Sequence, residues 1–296
     1  MSTSEAQGIV RDVIDESWSE YRSLMEDGTQ HEIIVDEEGA YETTLAARRI
    51  EGRVTERLAA YDRDIALYGD DAAEKPEAAD LAAIVDPLDG SMNQAQQVGP
   101  AGPVVAIAEG GDPCFDDVVG MGYLDIHSGA FVEAYRGEGA YRYSEYDGGE
   151  AGRGEPTTTT GVSSCDNLDH TSSLLADVFM LEGGSGVIGE LWKIQKIEDS
   201  RCLIDMVKRV AVGENDIMAT GDYCEASPGK QKTGEELAAG YRLLIEAGGA
   251  MIGPDGEEIG NKTIGMDEGR TFDLVVGAAS RSLAEEVWER VASNIT

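Results

Sequence analysis

Two carboxylates three residues apart are the side chains of this sequence best suited to chemistry. Asp86 and Asp89 belong to the run Asp-Pro-Leu-Asp-Gly-Ser, in which Gly90 and Ser91 follow the second acid. Hard divalent cations such as Mg²⁺ prefer carboxylate and carbonyl oxygens in a near-octahedral array, so the carbonyl of Leu88 could join the two acids. The spacing therefore predicts a magnesium site.

The residues after the second aspartate could hold a phosphate group. Gly90 permits close approach of the backbone, and a helix that began at Ser91 would direct its first N–H groups at an anion. Met92 completes this set of candidate substrate-binding residues. The alternative is an ordinary surface turn, because Asp-Pro and Asp-Gly are common turn dipeptides and the chain is rich in acids.

The elements before and after these residues must bring them together. Residues 81–85 are an apolar run typical of a buried strand that ends at Asp86. Pro87 has a fixed φ and biases Asp86 towards an extended conformation. A turn after Pro87 would then bring Asp89 alongside Asp86.

Hydrophobic periodicity predicts the remaining elements. In the first half it predicts helices at 4–26 and 43–61 and strands at 31–35, 65–68, 104–108, 118–124 and 129–135. In the second half it predicts strands at 174–181, 216–219 and 274–279 and helices at 203–213, 235–247 and 282–293. A polar segment at 144–161 separates the halves, so we expect an α+β domain at 1–150 with the metal and phosphate site, and an α/β domain at 151–296 that completes it.

The charge balance excludes several classes of partner. The chain has 23 Lys and Arg against 58 Asp and Glu, a formal net charge of -35. This field repels polyanions, so we expect no nucleic-acid partner, and a small phosphorylated substrate would need metal ions. No apolar run reaches membrane-spanning length and residues 1–7 lack the features of a leader peptide, so we expect a cytoplasmic protein with no membrane partner.

The acids are spread over the whole length of the chain. Such an excess is typical of proteins that work in concentrated salt, where the Debye length is roughly 3 Å at 1 M and self-repulsion is screened. We therefore expect a halophilic, haloarchaeal source.

Three other patterns carry less weight. Residues 184–189 satisfy G-x-G-x-x-G, but no clear helix follows, so we expect loop glycines rather than a dinucleotide site. His31, His127 and His170 belong to no nucleophile or zincin motif, which indicates core or surface histidines. Four cysteines without C-x-x-C spacing indicate neither a zinc site nor a disulfide framework.

The central motif, with Asn93 shortly after it, resembles the signature of the inositol monophosphatase family. That family includes inositol monophosphatases, archaeal fructose-1,6-bisphosphatases and 3'(2')-phosphoadenosine nucleotidases. Residues 67–71 stand where members have Gly-Glu-Glu, residues 130–141 are similar to an A-x-x-G-x-G-A hairpin, and residues 237–249 resemble the W-D-x-A-A-G helix and E-A-G-G turn. The resemblance implies a layered αβαβα sugar-phosphatase fold of the α/β (α+β) class, with an antiparallel N-terminal sheet and a smaller mixed C-terminal sheet, and a homodimer.

The resemblance also implies roles for individual residues. Asp86 and Asp89 would be shared metal ligands with the Leu88 carbonyl, while Leu88, Gly90, Ser91 and Met92 would contact the phosphorylated substrate. Asp70, or the aspartate after it, stands where the family has a metal-binding glutamate and would act with Ser91 in catalysis. Glu236 stands where the family has a metal-binding aspartate. Both exchanges change the reach by one methylene, and the alternative for both residues is an ordinary surface acid.

Two segments depart from the family's pattern. Residues 41–47 carry Thr44 where members have an aspartate that orients the attacking water, and Glu42 or Asp36 could substitute for it. Residues 202–205 replace a Gly-Ser-Ala-Ala stretch. The resemblance therefore implies Mg²⁺-dependent hydrolysis of inositol monophosphate or of a sugar phosphate such as fructose 1,6-bisphosphate. The alternatives are a 3'(2')-phosphoadenosine nucleotidase and a degenerate homologue that binds phosphate without turnover.

Overall fold

A computed structural model describes residues 1–35, 41–69, 79–146, 148, 158–176, 194, 196–220, 232–264, 271–272 and 274–292. Within these ranges the side chains at 41–42, 158–159, 232–233, 235–236, 271 and 292 are not described. Contacts divide the chain into two compact units. The first comprises Met1–Pro113 and Asp117–Thr159, and the second comprises Cys114–Asp116 and Thr160–Thr296.

The first unit contains a large sheet, a two-stranded sheet and helices. Its described helices are α1 (Thr3–Asp27), α2 (Leu45–Ala59) and α3 (Ser91–Gln96). Its described strands are β1 (Ile33–Val35), β2 (Tyr41–Thr44), β3 (Ile65–Tyr68), β4 (Leu81–Asp89), β5 (Gly102–Glu109), β6 (Val118–Leu124), β7 (Phe131–Tyr135), β8 (Gly139–Tyr143) and β9 (Thr158–Thr159). β1 pairs with β2, and β3 to β9 form a sheet in chain order. In that sheet β3 and β4 run parallel, and the other described neighbours are antiparallel.

Helix α1 has a defined start and end and a buried apolar stripe. The Ser2 side chain caps its first turn by accepting from the Glu5 N–H, and Gly28 ends it with a left-handed φ of 72°. Ile9, Val13 and similar residues at helical spacing are buried, and the helix packs on β5 and β6. Burial of this stripe covers one face of the sheet.

An ion pair with a buried carboxylate ties α1 to the same sheet. Glu133 on β7 accepts two hydrogen bonds from the Arg11 guanidinium, at 3.0 and 2.6 Å, and one each from the hydroxyls of Tyr135 and Tyr143. Burial raises the pKa of the Glu133 carboxyl, but these donors outweigh burial and hold the pKa below its ordinary value of 4.5. The carboxylate is therefore charged and fully bonded inside the unit.

The second unit contains a smaller mixed sheet. Its described helices are α4 (Leu203–Ala211), α5 (Gly234–Glu246) and α6 (Arg281–Ala292). Its described strands are β10 (Ser173–Ala176), β11 (Lys196–Glu198), β12 (Ile217–Thr220), β13 (Lys232–Thr233), β14 (Ala250–Ile252), β15 (Thr271–Phe272) and β16 (Val275–Ala278). The sheet order is β11-β10-β12-β16-β14, with β10 parallel to β11 and β12 and with β16 antiparallel to β12 and β14. β13 and β15 form a separate antiparallel pair.

Three residues from the first half of the sequence belong to this second unit. The Phe115 N–H donates to the carbonyl of Lys262 at 3.1 Å. The buried Phe115 ring lies edge-on to Tyr241 and Phe272, with ring centroids 5.5 and 5.7 Å away. The hydroxyl of Tyr241 donates to Asp116 at 2.5 Å. Cys114–Asp116 therefore completes the second core rather than the first.

The predicted fold class is confirmed, because the chain has a larger, mainly antiparallel sheet followed by a smaller mixed one. The helices predicted at 4–26, 203–213, 235–247 and 282–293 match α1, α4, α5 and α6 to within two residues at each end. The helix predicted from residue 43 begins at Leu45 instead, because the preceding residues pair with β1 as a strand. The strand predicted at 174–181 is described as far as Ala176. None of the described helices combines the length and the apolar character that crossing a membrane requires.

Candidate active site

Strand β4 continues past its predicted end and carries both aspartates of the central motif. Asp86 pairs with Val104 of β5, and Asp89 pairs with Gly102. Three steps along β4 thus face two steps along β5, so a β-bulge accommodates one extra residue between the acids. The turn predicted after Pro87 is therefore wrong in detail, since the extra residue is absorbed within the strand pairing.

This bulge sets the direction of the two carboxylates. Residues two apart along a strand lie on one face of a sheet, so Val104 and Gly102 share a face, and so do the residues that pair with them. In a regular strand, residues three apart would lie on opposite faces. Asp86 and Asp89 consequently lie on the same face of the sheet, which is the arrangement that two ligands of one cation need.

The residues between the acids anchor the bulge. Pro87 and Leu88 are buried, whereas Asp86 and Asp89 are only partly buried. The Leu88 N–H donates to Oδ1 of Asp86 at 2.9 Å, which orients that carboxylate. The donors at this point are carboxylate and carbonyl oxygens, and this donor set fits Mg²⁺ rather than a metal that prefers nitrogen or sulfur.

Helix α3 follows at once and begins at Ser91, as the phosphate hypothesis requires. Gly90 is its N-cap, with a left-handed φ of 77° that favours glycine, and being a glycine it offers no side-chain cap. Gly90 and Ser91 are partly buried, and Met92 is 39% exposed. Of the four predicted substrate-contacting residues, Gly90, Ser91 and Met92 are therefore accessible on the first unit, whereas the side chain of Leu88 is buried.

Two buried polar side chains of α3 form hydrogen bonds with residues outside the helix. The Nδ2 of Asn93 donates to the carbonyl of Pro100 at 2.8 Å, and the Nε2 of Gln94 donates to the carbonyl of Gln30 at 2.5 Å. Burial raises the pKa of Tyr21 above its ordinary value of 10.0, and a hydrogen bond with the Gln94 side chain partly offsets that effect. The ring Nδ1 of His31 lies 3.1 Å from the carbonyl oxygen of Gln94.

Sequence reasoning assigned His31 no role, because a single histidine after a helix belongs to no motif. The other two histidines have exposed side chains. Within the described part of the chain, His31 is thus the histidine that reaches an element of the candidate site. No sequence signal indicates this contact, because the burial of the Asn93 and Gln94 amides, which then need partners, is known only from the structure.

Asp70 lies outside the described residues, but the chain that leads to it is described. β3 runs parallel to β4 with Tyr68 paired to Ile84. The next residues, Gly69 and Val85, line the same small pocket. Each of these two residues directly precedes a predicted metal ligand in the sequence.

The described side chains do not by themselves complete a metal site. Glu236 lies in the first turn of α5, and its side chain is outside the description. Among the described residues, no group of three or more His, Cys, Asp or Glu side chains could hold a metal ion. Asp86 and Asp89 are the two predicted carboxylates whose side chains the structure describes.

Thr44 has a structural partner where the resembled family has an acid. It is the N-cap of α2, and its buried Oγ1 accepts from the Ala47 N–H at 3.1 Å. Asp36 and the side chain of Glu42, the two candidate substitutes, lie outside the description. The glycine-rich run at 184–189 also lies outside it.

The fold is similar to that of several solved structures. A Pyrococcus horikoshii protein described as hypothetical, with similarities to inositol-1 monophosphatase, matches with a TM-score of 0.72 and 16% identity over 98% of this chain and 99% of that one. The staphylococcal IMPase-II bound to inositol monophosphate matches with a TM-score of 0.72 and 16% identity over 97% and 93%. The same protein bound to 2'AMP matches with a TM-score of 0.72 and 15% identity over 98% and 94%.

These similarities concern the fold. The sequence matches no protein-family model and no curated protein. Identities of 15 to 16% over nearly the whole chain show that this sequence adopts the fold of inositol monophosphatase-like proteins. The activity must be argued from the site.

Proposed function

We propose that this protein is a Mg²⁺-dependent phosphatase that hydrolyses a small phosphate monoester by attack of water. The observation that carries the proposal is the β-bulge that turns Asp86 and Asp89 to one face of the sheet, directly before the helix that begins at Ser91. The fold shared with inositol monophosphatase-like proteins supports the same reaction class.

Each residue has a stated task in this proposal. Asp86, Asp89 and the Leu88 carbonyl bind the cation, which when bound would neutralise phosphate charge and lower the pKa of a water molecule. The Ser91 hydroxyl and the backbone N–H groups after Gly90 hold the phosphoryl oxygens in position for in-line attack. Accessible Met92 contacts the substrate beyond the phosphate.

Two further acids complete the ligand set that we propose. Asp70 is proposed on the strength of the motif resemblance, and the parallel register that pairs Tyr68 of β3 with Ile84 of β4, two residues before each acid, supports it. Its carboxylate would bind the cation and orient the attacking water. Glu236 is proposed as the last ligand on the strength of the motif resemblance.

The substrate class is a compact phosphate monoester. Inositol monophosphate and sugar phosphates such as fructose 1,6-bisphosphate come first, and a 3'(2')-phosphoadenosine nucleotide is the second candidate. The staphylococcal protein of the same fold is described bound both to inositol monophosphate and to 2'AMP, which supports testing both classes. A net charge of -35 supports the exclusion of nucleic-acid polymers as partners. A homodimer, a cytoplasmic location and the absence of a membrane partner stay predictions.

A non-catalytic homologue is the alternative that a specific observation favours. Thr44 carries no carboxylate and its hydroxyl caps α2, so it cannot supply the acid found at this position in the resembled family. In this alternative the protein binds Mg²⁺ and phosphate without turnover.

The test is phosphate release from a panel of inositol phosphates, sugar phosphates and nucleotides, with Mg²⁺ titrated in molar salt. Mutation of a residue that only hydrogen-bonds to a metal ligand typically costs about 10–100-fold in metal affinity or activity. Asp89 is proposed as a ligand itself, so Asp89→Asn is expected to lower turnover by more than that. Asp80→Asn is the matched control, because Asp80 is exposed just before the other end of β4 and has no task in the proposal. The control should retain wild-type turnover.

Two outcomes would contradict the proposal. Turnover that is independent of Mg²⁺, or unchanged by Asp89→Asn, would remove the central motif from the mechanism. A folded wild-type protein that binds Mg²⁺ in calorimetry but releases no phosphate from any substrate would establish the non-catalytic alternative.

A further inference from the structure

We infer that His31 is a positioning residue, which holds helix α3 and through it the phosphate-binding residues Gly90 and Ser91. The inference rests on the proposed function, because it assigns His31 a task in the same site. His31 lies between α1 and β1, far in sequence from the central motif.

Helix α3 needs anchors from outside itself. It has six residues, and a helix of that length is not stable alone because nucleation is unfavourable. Most surface helices are held by a buried apolar stripe, but the buried side chains of α3 are those of Asn93 and Gln94. The position of α3 therefore depends on the hydrogen bonds that the side-chain amides of Asn93 and Gln94 make with residues outside the helix.

The ring of His31 sits between two glutamines. Its Nδ1 lies 3.1 Å from the Gln94 carbonyl oxygen, and its Nε2 lies 3.2 Å from Nε2 of Gln30. The neutral tautomer with its proton on Nδ1 makes both bonds, since Nδ1–H donates to the carbonyl and Nε2 accepts from the amide. Nδ1 also lies 3.1 Å from Nε2 of Gln94, the atom that donates to the Gln30 carbonyl. His31 and Gln30 thus meet Gln94 through both its backbone and its side chain.

Gln94 connects this cluster to the phosphate-binding residues. Its N–H donates to the carbonyl of Gly90 at 3.1 Å, within the single turn that separates the two. The carbonyl of Gln94 lies in the last turn of α3, where it accepts from the capping N–H of Gln97 at 3.1 Å. The Nδ1 of His31 is a second contact of the same carbonyl oxygen, from outside the helix. A shift of Gln94 is therefore passed to Gly90 and Ser91 through one hydrogen-bonded turn. Displaced phosphate-binding groups hold the phosphoryl group less tightly in the ground state and the transition state alike, which raises KM.

The test compares His31→Ala, His31→Asn and a matched control, His127→Ala. The asparagine amide nitrogen can take the place of Nδ1 and donate to the Gln94 carbonyl, so it should rescue what alanine loses. His127 lies in the same unit with an exposed side chain, so its removal controls for the loss of an imidazole.

We expect His31→Ala to raise KM for the phosphorylated substrate about tenfold or more, with the half-saturating Mg²⁺ concentration unchanged. His31→Asn should restore KM to within about threefold of wild type, and His127→Ala should not change it. A purely structural role would instead lower the active fraction, and hence kcat, while leaving KM unchanged. An unchanged KM in His31→Ala, with wild type active, would overturn the inference.

Hydrogen exchange separates this inference from the proposed function. Amides of residues 91–98 should exchange faster in His31→Ala than in wild type, His31→Asn or His127→Ala, whether or not the protein turns over substrate. If wild type shows no turnover, the proposed function fails, and the exchange measurement still decides whether His31 holds α3. Equal exchange in all four proteins would refute the link.

Discussion

The side chain of Thr44 is committed to the backbone of its own helix. Its Oγ1 accepts from the Ala47 N–H at 3.1 Å in a fully buried position at the start of α2. Thr44→Ala removes this cap and leaves a buried N–H without its partner, so we expect a loss of about 1 kcal/mol in the free energy of unfolding. Urea-induced unfolding at constant salt measures the loss.

Thr44→Ser is the matched control, because serine keeps the capping hydroxyl and removes only a methyl group. Its stability should stay much closer to wild type than that of Thr44→Ala. Equal losses in the two variants would mean that the methyl group, and not the capping bond, stabilises this position.

Sequence reasoning at the residue scale finds groups that stand in a motif and misses groups that act across space. Asp86 and Asp89 are evident from their spacing, because metal ligands within one short segment leave a local pattern. His31 is more than sixty positions from Gln94, and nothing in its neighbours indicates that contact. Thr44 caps a helix that begins at the next residue, but this role can be recognised only when the first residue of α2 is known.

At the scale of elements, the close packing of β5 makes Gly102 essential to the site. Gly102 pairs with Asp89, and a Cβ added to it would lie 1.7 Å from the carbonyl oxygen of Leu124. Gly102→Ala should therefore destabilise the protein by about 3 kcal/mol or more, at or beyond the upper end for overpacking, because backbone must move. Thermal unfolding tests the stability, and phosphate release should fall because the bulge opposite is displaced.

Gly52→Ala is the matched control, because it adds the same methyl group at a position with free space around it. Gly52 is exposed within α2, and an added Cβ there would meet nothing within 4 Å. Alanine is the better helix former, so this variant should gain about 0.5–1 kcal/mol. If Gly102→Ala changed the free energy of unfolding by no more than Gly52→Ala does, the close approach described for β5 would be contradicted.

The long elements follow from the sequence, and the local irregularities do not. α1, α4, α5 and α6 were predictable because apolar residues recur at helical spacing over several turns. The last two residues of β2, Thr43 and Thr44, were predicted as the start of a helix, because a four-residue strand is too short to establish a period of two against the strong pattern that follows. The bulge between Asp86 and Asp89 depends on how β5 pairs with β4, and a single strand does not encode that register.

At the scale of the whole molecule, a net charge of -35 predicts that stability depends on salt. The Debye length falls from about 10 Å at 0.1 M to about 3 Å at 1 M, so dilution exposes the acids to one another. A repulsion of a few kcal/mol would lower the unfolding midpoint by about 5–10 °C in a protein of this size. Thermal unfolding between 0.1 and 2 M potassium chloride measures the shift.

The choice of salt separates charge screening from preferential exclusion. Screening predicts that chloride and sulfate act alike at equal ionic strength, with most of the gain below about 1 M. Preferential exclusion of the salt from the protein surface predicts instead that sulfate raises the unfolding midpoint much more than chloride does. A midpoint that is the same at low and high chloride would argue against a halophilic protein.

The attachment of Cys114–Asp116 to the second unit bears on the order of events during synthesis. Arg242 donates to the carbonyl of Asp116 across 126 positions of the chain, and such long-range closures form slowly. The Phe115 ring must await its aromatic neighbours Tyr241 and Phe272, which leave the ribosome long after it. A nascent chain therefore holds an apolar side chain without its native packing while most of the protein is still being made. For the same reason, a gene fragment that starts at residue 160 encodes the second unit without the aromatic residue that fills its core.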